Sequence, residues 1–392
     1  MAIVMTGLDR LRAAGWRALY GQRVGLVVHP ASVDLNLRHA RDLMAQSQGA
    51  VRLGALFGPQ HGILGQTQDN MIEWEGFTDP ELGIPVYSLY GEHRKPTAAM
   101  LDGIDTLVID LQDVGARYYT FIWTMLLCLE ACAEAQKRVV VLDRPNPLGG
   151  LGVEGNVLDP GYRSFVGLAP IPMRHGLTIG ELAGFLVAWR GLDVELDVVW
   201  MDGWRRDQDF EATGLPWVLP SPNMPTVDTA FTYPGACLLE GTNLSEGRGT
   251  TRPFEIFGAP FVDGRRLAAV LQAWNLPGCR LRPLDFQPTF HKFAGQVCGG
   301  VQVHVTDRAA FEPVATYTAA IAAICGLWPD RFAWKQPPYE YELEKLPIDI
   351  LAGGTRWREQ VESGLTPWQM KAGWLEELRA FADVAEAHRH YA

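Results

Sequence analysis

The sequence predicts an α/β protein, a Rossmann-like, doubly wound and mainly parallel sheet followed by a smaller α/β C-terminal domain. Three observations predict it. Short apolar runs recur through the first 150 residues: Val24-Gly-Leu-Val-Val-His29, Leu53-Gly-Ala-Leu-Phe-Gly-Pro-Gln60-His61, Val86-Tyr-Ser-Leu-Tyr-Gly91-Glu92, Thr106-Leu-Val-Ile-Asp110 and Val139-Val-Val-Leu-Asp143. None alternates with polar residues, as expected of strands buried on both faces. Helical stretches separate the runs, and alternating strands and helices build a parallel sheet. Each run also ends in His, Gln, Glu, Asp, Arg or Asn, and open α/β sheets bind ligands beyond the carboxyl ends of their strands.

The elements follow in order. Leu8, Leu11, Ala14 and Leu19 have helical spacing over 7–20, and the first strand covers 23–28. Helices are expected at roughly 34–48, 96–102 and 122–137, the last rich in strong helix formers. Pro170 to His175 reads as a loop. Thr178 and Glu181 form a capping box that opens a helix, and Leu196–Met201 is a further strand. Pro220, Pro222 and Pro225 cannot all sit in a helix or central strand. They mark a boundary that gives domains 1–226 and 227–392. The second domain holds a glycine-rich polar loop at 241–250, a helix near 264–274 and a strand from Gln296 to Val305. A helix at about 309–325, a Tyr/Pro-rich stretch at 334–350 and a terminal helix at 367–388 follow.

Composition narrows the function. The 392 residues are 47% hydrophobic and 20% charged, a globular balance, and the net charge of −11 argues against a nucleic-acid partner. A local arginine cluster can still hold a small anion. The six cysteines form no CxxC pair and read as reduced thiols. The first residues lack the apolar core of an export signal, and no run is long enough to span a membrane. The expectation is a cytoplasmic protein with no membrane partner. The sequence does not give an oligomeric state.

The common nucleotide and hydrolase signatures are missing. His29-Pro30 stands where a GxGxxG turn would follow the first strand, and a P-loop, HExxH and GxSxG are absent. Glu92, in Gly91-Glu92-His93-Arg94, is a candidate general acid if partial burial raises its pKa. Asp110 and Asp113 could supply a second carboxylate. Arg117, next to Tyr118, could hold an anionic substrate group or order the loop by an internal Asp–Arg pair. Asp143-Arg144-Pro145-Asn146 suits a rigid binding loop or a plain turn. His61 and the pair Arg174-His175 are further candidates. Glu240, Asn243, Ser245, Glu246 and Arg248 lie in a loop dense in hydrogen-bonding groups, read as ligand-facing. Tyr339 and Tyr341 read as aromatic packing or a sugar-stacking wall, with packing preferred. No metal or other cofactor is expected.

Together these segments resemble a known family, the NamZ-like exo-β-N-acetylmuramidases, formerly a domain of unknown function. The resemblance rests on Leu56-Phe-Gly-Pro-Gln-His-Gly62, Ser88-Leu-Tyr-Gly-Glu-His-Arg-Lys-Pro96, Asp110-Leu-Gln-Asp-Val-Gly-Ala-Arg-Tyr-Tyr-Thr120 and Asp143-Arg-Pro-Asn-Pro-Leu-Gly149. Pro172-Met-Arg-His-Gly176, Ser221-Pro-Asn-Met-Pro225, Tyr233-Pro-Gly, Glu240-Gly-Thr-Asn-Leu-Ser-Glu-Gly-Arg-Gly-Thr250 and Pro338-Tyr-Glu-Tyr341 add to it. It implies removal of terminal N-acetylmuramic acid from the non-reducing ends of peptidoglycan fragments. It also implies a catalytic glutamate in the Gly-Glu-His-Arg segment, here Glu92. Many members are exported, so the missing export signal points to small muropeptide or disaccharide substrates. The sugar's lactyl carboxylate suits bidentate arginine binding, by Arg94, Arg117, Arg174 or Arg248. Two other readings stay open: a non-catalytic muropeptide-binding protein, and a deacetylase or esterase acting on an amino sugar.

Overall fold

Every apolar run of the first half becomes a strand in the computed structural model, which describes residues 3–69 and 71–392. The strands are β1 (Arg23–Val27), β2 (Arg52–Gly58), β3 (Phe77–Thr78), β4 (Pro85–Ser88), β5 (Thr106–Ile109), β6 (Arg138–Leu142), β7 (Glu154–Val157), β8 (Pro172–Arg174) and β9 (Leu196–Val199). Seven of them form one sheet in the order β3-β4-β2-β1-β5-β6-β9. All its pairings are parallel except that of the short edge strand β3 with β4. Counting only the six parallel strands, the order is 3-2-1-4-5-6, the order of a doubly wound dinucleotide-binding sheet.

Helices cover both faces. They are α1 (Gly7–Ala13), α2 (Ala40–Ala45), α3 (Ala98–Asp102), α4 (Phe121–Glu134) and α5 (Ile179–Arg190). Strand side chains point alternately to the two faces. Val24, Leu26, Val108 and Val140 meet Leu8 and Leu11 of α1 and Leu43 and Met44 of α2. Val27, Phe57, Ile109 and Val141 meet Leu101 of α3, Ile122 and Leu129 of α4 and Leu182 of α5. The unbroken apolar runs are therefore strands with a helix layer on each side.

The second half adds α6 (Val227–Ala236), β10 (Ile256–Ala259), α7 (Gly264–Gln272), β11 (Cys279–Phe286), β12 (Cys298–Val305), α8 (Pro313–Leu327), α9 (Pro347–Ala352), α10 (Arg356–Glu362), α11 (Pro367–Ala372) and α12 (Leu375–Glu386). β10, β12 and β11 form an antiparallel sheet in that order. Its buried side chains, with those of α6 and α8, continue the cluster that fills one face of the large sheet.

Several expected elements differ. The first helix stops at Ala13 because Gly15 and Trp16 turn left-handed, at φ 67° and 63°. The second begins only at Ala40. Upstream, Asp34 accepts hydrogen bonds from the backbone amides of Asn36 and Arg38, holding a turn against a helix. The stretch read as a loop from Pro170 contains β8, paired antiparallel with β7. The terminal helix is interrupted around Gly373 and forms two shorter helices. The capping box of Thr178 and Glu181 is present. All six cysteines are unpaired thiols. Among the described residues, no helix is long and apolar enough to cross a membrane.

Candidate active site

The switch point of the sheet lies between β1 and β5, and it is filled from within. His29 follows β1, and its Nε2 accepts from the Gln112 amide at 2.9 Å while its Nδ1 lies 3.2 Å from the Pro220 carbonyl. Burial pushes this imidazole well below its ordinary pKa, so it stays neutral. Asp110 follows β5 and is gripped bidentately by Arg144, at 2.5 and 2.8 Å. A closed ion pair and a proline-linked histidine occupy the ground where a dinucleotide would need glycine.

The open ground is beside it. Beyond β2 and β5 lies a cleft lined by Gln60 and His61, which follow β2, and by Tyr118, Tyr119 and Thr120, which lead into α4. The proline-rich segment contributes Ser221 and Asn223, and α6 contributes Tyr233. Glu240 and Arg248 close it from the glycine-rich loop, and Tyr339 and Glu340 from the Tyr/Pro-rich stretch. Both halves of the chain build the cleft.

Its electrostatics are set by carboxylates around one guanidinium. Arg248 Nη2 donates to Glu240 Oε1 at 2.7 Å, and its Nε lies 3.3 Å from Glu246 Oε1. Burial works against the charge on Arg248, but Glu240 and Glu246 outweigh it. Glu246 sits behind the cleft. Burial would raise its carboxyl, yet Lys292, His291 and Arg248 together hold it below its ordinary value. Tyr339 donates its hydroxyl to Glu240 Oε2 at 2.8 Å. His61 is left-handed at φ 68°, with Nδ1 2.9 Å from the Thr67 carbonyl. Burial pushes its pKa down to about 4, so Nδ1 donates and Nε2 is left as an acceptor.

Glu340 is the second carboxyl of the cleft. Burial is the largest influence on it and pushes it up to about 7, with Glu240 adding to the rise. Tyr90 donates its hydroxyl to Glu340 Oε2 at 3.0 Å, which opposes the shift.

The sequence-predicted residues divide into three groups. His61, Tyr118, Glu240 and Arg248 line the cleft, with Glu246 directly behind. A second group is engaged internally. Asp110 pairs with Arg144 rather than Arg117, and Asp113 accepts from His175 Nε2 at 3.1 Å and from the Gly115 amide at 2.7 Å. Arg117 is fully buried and donates to the carbonyls of Asn156, Ile171 and Leu351, so it ties three segments together and has no room for a substrate. Asp143 accepts from Thr178, the Gly180 amide and Tyr391, fixing the start of α5. Asn146 bonds the backbone of Leu148 and Leu177, and Arg174 binds Glu154 and the Leu148 carbonyl. Asn243 holds the backbone of Arg331 and Ala333, and Ser245 accepts from the Gly247 amide.

The third group lies outside. Glu92 does not have the partial burial expected of it. Its side chain is 89% exposed, and the paired group is His93 Nε2 at 3.7 Å. Glu92 lines a separate, open groove beyond β4 with Glu73, Trp74, Tyr87 and His93, and is not among the residues that line the central cleft. Arg94 stacks over the Tyr341 ring at 4.0 Å on an adjoining groove, with Phe165 and Glu340 in its lining.

Sequence reasoning missed Gln60, Tyr119, Thr120, Ser221, Asn223, Tyr233, Tyr339 and Glu340 as site residues. The preferred packing role of Tyr339 is corrected: its ring lines the cleft and its hydroxyl fixes Glu240.

A doubly wound sheet without a dinucleotide turn, carrying a tyrosine-walled cleft with two carboxyls, has the parts of a glycoside hydrolase. Comparison with known proteins narrows this. The chain matches the family description of the exo-β-N-acetylmuramidase NamZ, with the N-terminal part over residues 24–228 and the C-terminal part over 231–391. It belongs to that family. It is 44% identical over 388 residues to the peptidoglycan β-N-acetylmuramidase NamZ of Bacillus subtilis (strain 168), covering 99% of this chain and 91% of that one. Two solved DUF1343 family structures from Bacteroides fragilis NCTC 9343 have the same fold. One superimposes with a TM-score of 0.90 at 36% identity over the whole of both chains, the other with 0.75 at 26% identity over 99% of each.

Proposed function

We propose that this chain is an exo-acting glycoside hydrolase that releases terminal N-acetylmuramic acid from the non-reducing ends of peptidoglycan fragments. The observation that carries the reading is the 44% identity to a peptidoglycan β-N-acetylmuramidase across 99% of the chain. Residues 1–226 act as the Rossmann-like catalytic domain, and 227–392 as the smaller domain that closes the cleft. The substrate in this reading is a disaccharide or small muropeptide.

The lactyl carboxylate of the sugar needs a cation. Arg117 and Arg174 are committed to carbonyls and to Glu154. Arg248 faces the cleft itself, and its Nη1 is outside both of its ion pairs. We assign it the lactyl group. Arg94, on the adjoining groove, lies where the departing sugar would rest.

The test is incubation with MurNAc-β-1,4-GlcNAc and mass spectrometry of the products. Free N-acetylmuramic acid is the expected product. Release of acetate or lactate would replace the reading with a deacetylase or esterase, and binding without product would replace it with a binding protein.

A further inference from the structure

Cleavage of a glycoside with a poor leaving group needs an acid beside the bridging oxygen. Resting on the glycosidase reading above, we propose that Glu340, and not Glu92, is the general acid of this cleft. Three features of its placement carry the assignment.

The first is position. Glu340 lines both the closed central cleft and the adjoining groove of Arg94, Phe165 and Tyr341. An exo-acting enzyme buries one terminal sugar and leaves the rest of the substrate outside. The bond to be cut then lies at the junction of the two spaces, where this carboxyl sits.

The second is how firmly it is held. Glu340 and Tyr341 both adopt left-handed backbone, at φ 43° and 67°, although neither is glycine. Such strain persists where the surroundings over-determine it, and it clusters at functional sites. The anchors are visible. Tyr339 and Glu342 exchange both backbone hydrogen bonds at 2.9 Å, Tyr339 is tied to Glu240, and Tyr341 donates to Glu73 at 3.1 Å.

The third is environment. Glu340 is only 5% exposed, and a buried carboxyl keeps its proton more readily than one in water. The groups facing it come from every side: Tyr90 beyond β4, Gln60 beyond β2, Glu240 and Arg248 from the glycine-rich loop, and its neighbours Tyr339 and Tyr341. Glu240 favours the protonated acid, while Tyr90, Gln60 and Arg248 limit that preference. The balance at about 7 keeps a proton available near neutral pH.

In the step, the Glu340 carboxyl gives its proton to the bridging O4 as the bond from C1 to O4 breaks, and the bond's electron pair goes to that oxygen. The leaving sugar departs as an alcohol. A water adds its oxygen to C1 and releases one proton to solvent, from which Glu340 is protonated again. One water is consumed in total.

The experiment compares two substrates on wild type and Glu340→Gln. One is MurNAc-β-1,4-GlcNAc, and the other is the 4-nitrophenyl β-glycoside of N-acetylmuramic acid, whose leaving group needs no proton. The expected result is a fall in kcat on the disaccharide of roughly 10²–10⁴-fold with little change on the nitrophenyl glycoside. A parallel fall on both, or no fall on the disaccharide, overturns the assignment. If wild type cleaves neither, the glycosidase reading itself has failed, a different outcome. Tyr90→Phe supplies a check that does not remove the carboxyl. It deletes a bond that favours the ionised form, so the alkaline limb of the disaccharide profile should move to higher pH. An unmoved limb would count against Glu340.

Discussion

Replacing Arg248 with methionine separates two roles of one guanidinium. Methionine keeps the aliphatic stem but ends short of the guanidinium, so the charge goes and with it the contact over the Phe254 ring at 5.0 Å. Removing one partner of a buried ion pair costs about 3–5 kcal/mol because the other charge stays buried. Here the loss falls on two carboxylates. Glu246 retains Lys292 and His291, each at 3.1 Å, so the destabilisation should lie near the bottom of that range, at about 3 kcal/mol. Denaturant unfolding of Arg248→Met, Glu240→Gln and the double variant tests this. The two effects should be clearly non-additive, since both remove the same 2.7 Å pair. The second role is read from selectivity. A charge-assisted hydrogen bond in a site is worth about 1.5–3 kcal/mol, so the preference for a MurNAc-terminated over a GlcNAc-terminated disaccharide should fall roughly ten- to a hundredfold in kcat/KM. The ratio cancels any general loss of active enzyme. Additive stabilities would refute the ion-pair reasoning, and an unchanged preference would refute the lactyl contact.

Three further outcomes are expected. Glu92→Gln should leave disaccharide turnover within a few-fold of wild type, because its carboxyl is 89% exposed and outside the cleft; steady-state kinetics would expose a larger loss. Arg94→Ala should raise KM for the disaccharide by several-fold through loss of the Tyr341 stack and leave the MurNAc preference intact, as the same paired kinetics would record. Asp143 should make stability fall with rising pH. Burial lifts its carboxyl from an ordinary 3.8 to about 7. Across that window the unfolded chain gives up a proton that the folded chain keeps, so folding weakens as pH rises. Melting temperatures between pH 5 and 8 should therefore drop less in Asp143→Asn than in wild type, and an identical slope would contradict the linkage.

The fold was legible in proportion to how local its causes are. Val139-Val-Val-Leu and Thr106-Leu-Val-Ile announce strands because each run is apolar and buried on both faces, a signal held within four residues whichever helices cover them. β8 was hidden because three residues opening on proline carry no periodic signal, and its partner β7 supplies the pairing. The shortened second helix shows the same limit, since what stops it is the carboxyl of Asp34 bound to nearby amides. At the site, the types of residue were readable but their partners were not. An internal Asp–Arg pair was weighed for this loop, but the arginine that closes on Asp110 is Arg144, from the end of the next strand, while Arg117 bonds backbone carbonyls.

Glu340 shows why the cleft resisted a reading from sequence. Nothing in Pro-Pro-Tyr-Glu-Tyr distinguishes a buried acid from a surface turn. Its burial depends on Tyr90, 250 positions away, and on Gln60 and Glu240. Glu92 presented the opposite case, a carboxyl just beyond a strand end where open α/β sheets bind ligands, yet its side chain is 89% exposed and does not line the cleft. The strand-end rule locates a region and not a side chain. In this fold the switch point itself is closed by Arg144 and Asp110, so the usable space shifts toward the ends of β2 and β5. The second half of the chain closes that space with Glu240, Arg248, Tyr339 and Glu340. The carboxyls of the cleft thus come from beyond the large sheet. The chemistry then depends on both halves being folded against each other, and neither sequence segment carries it alone.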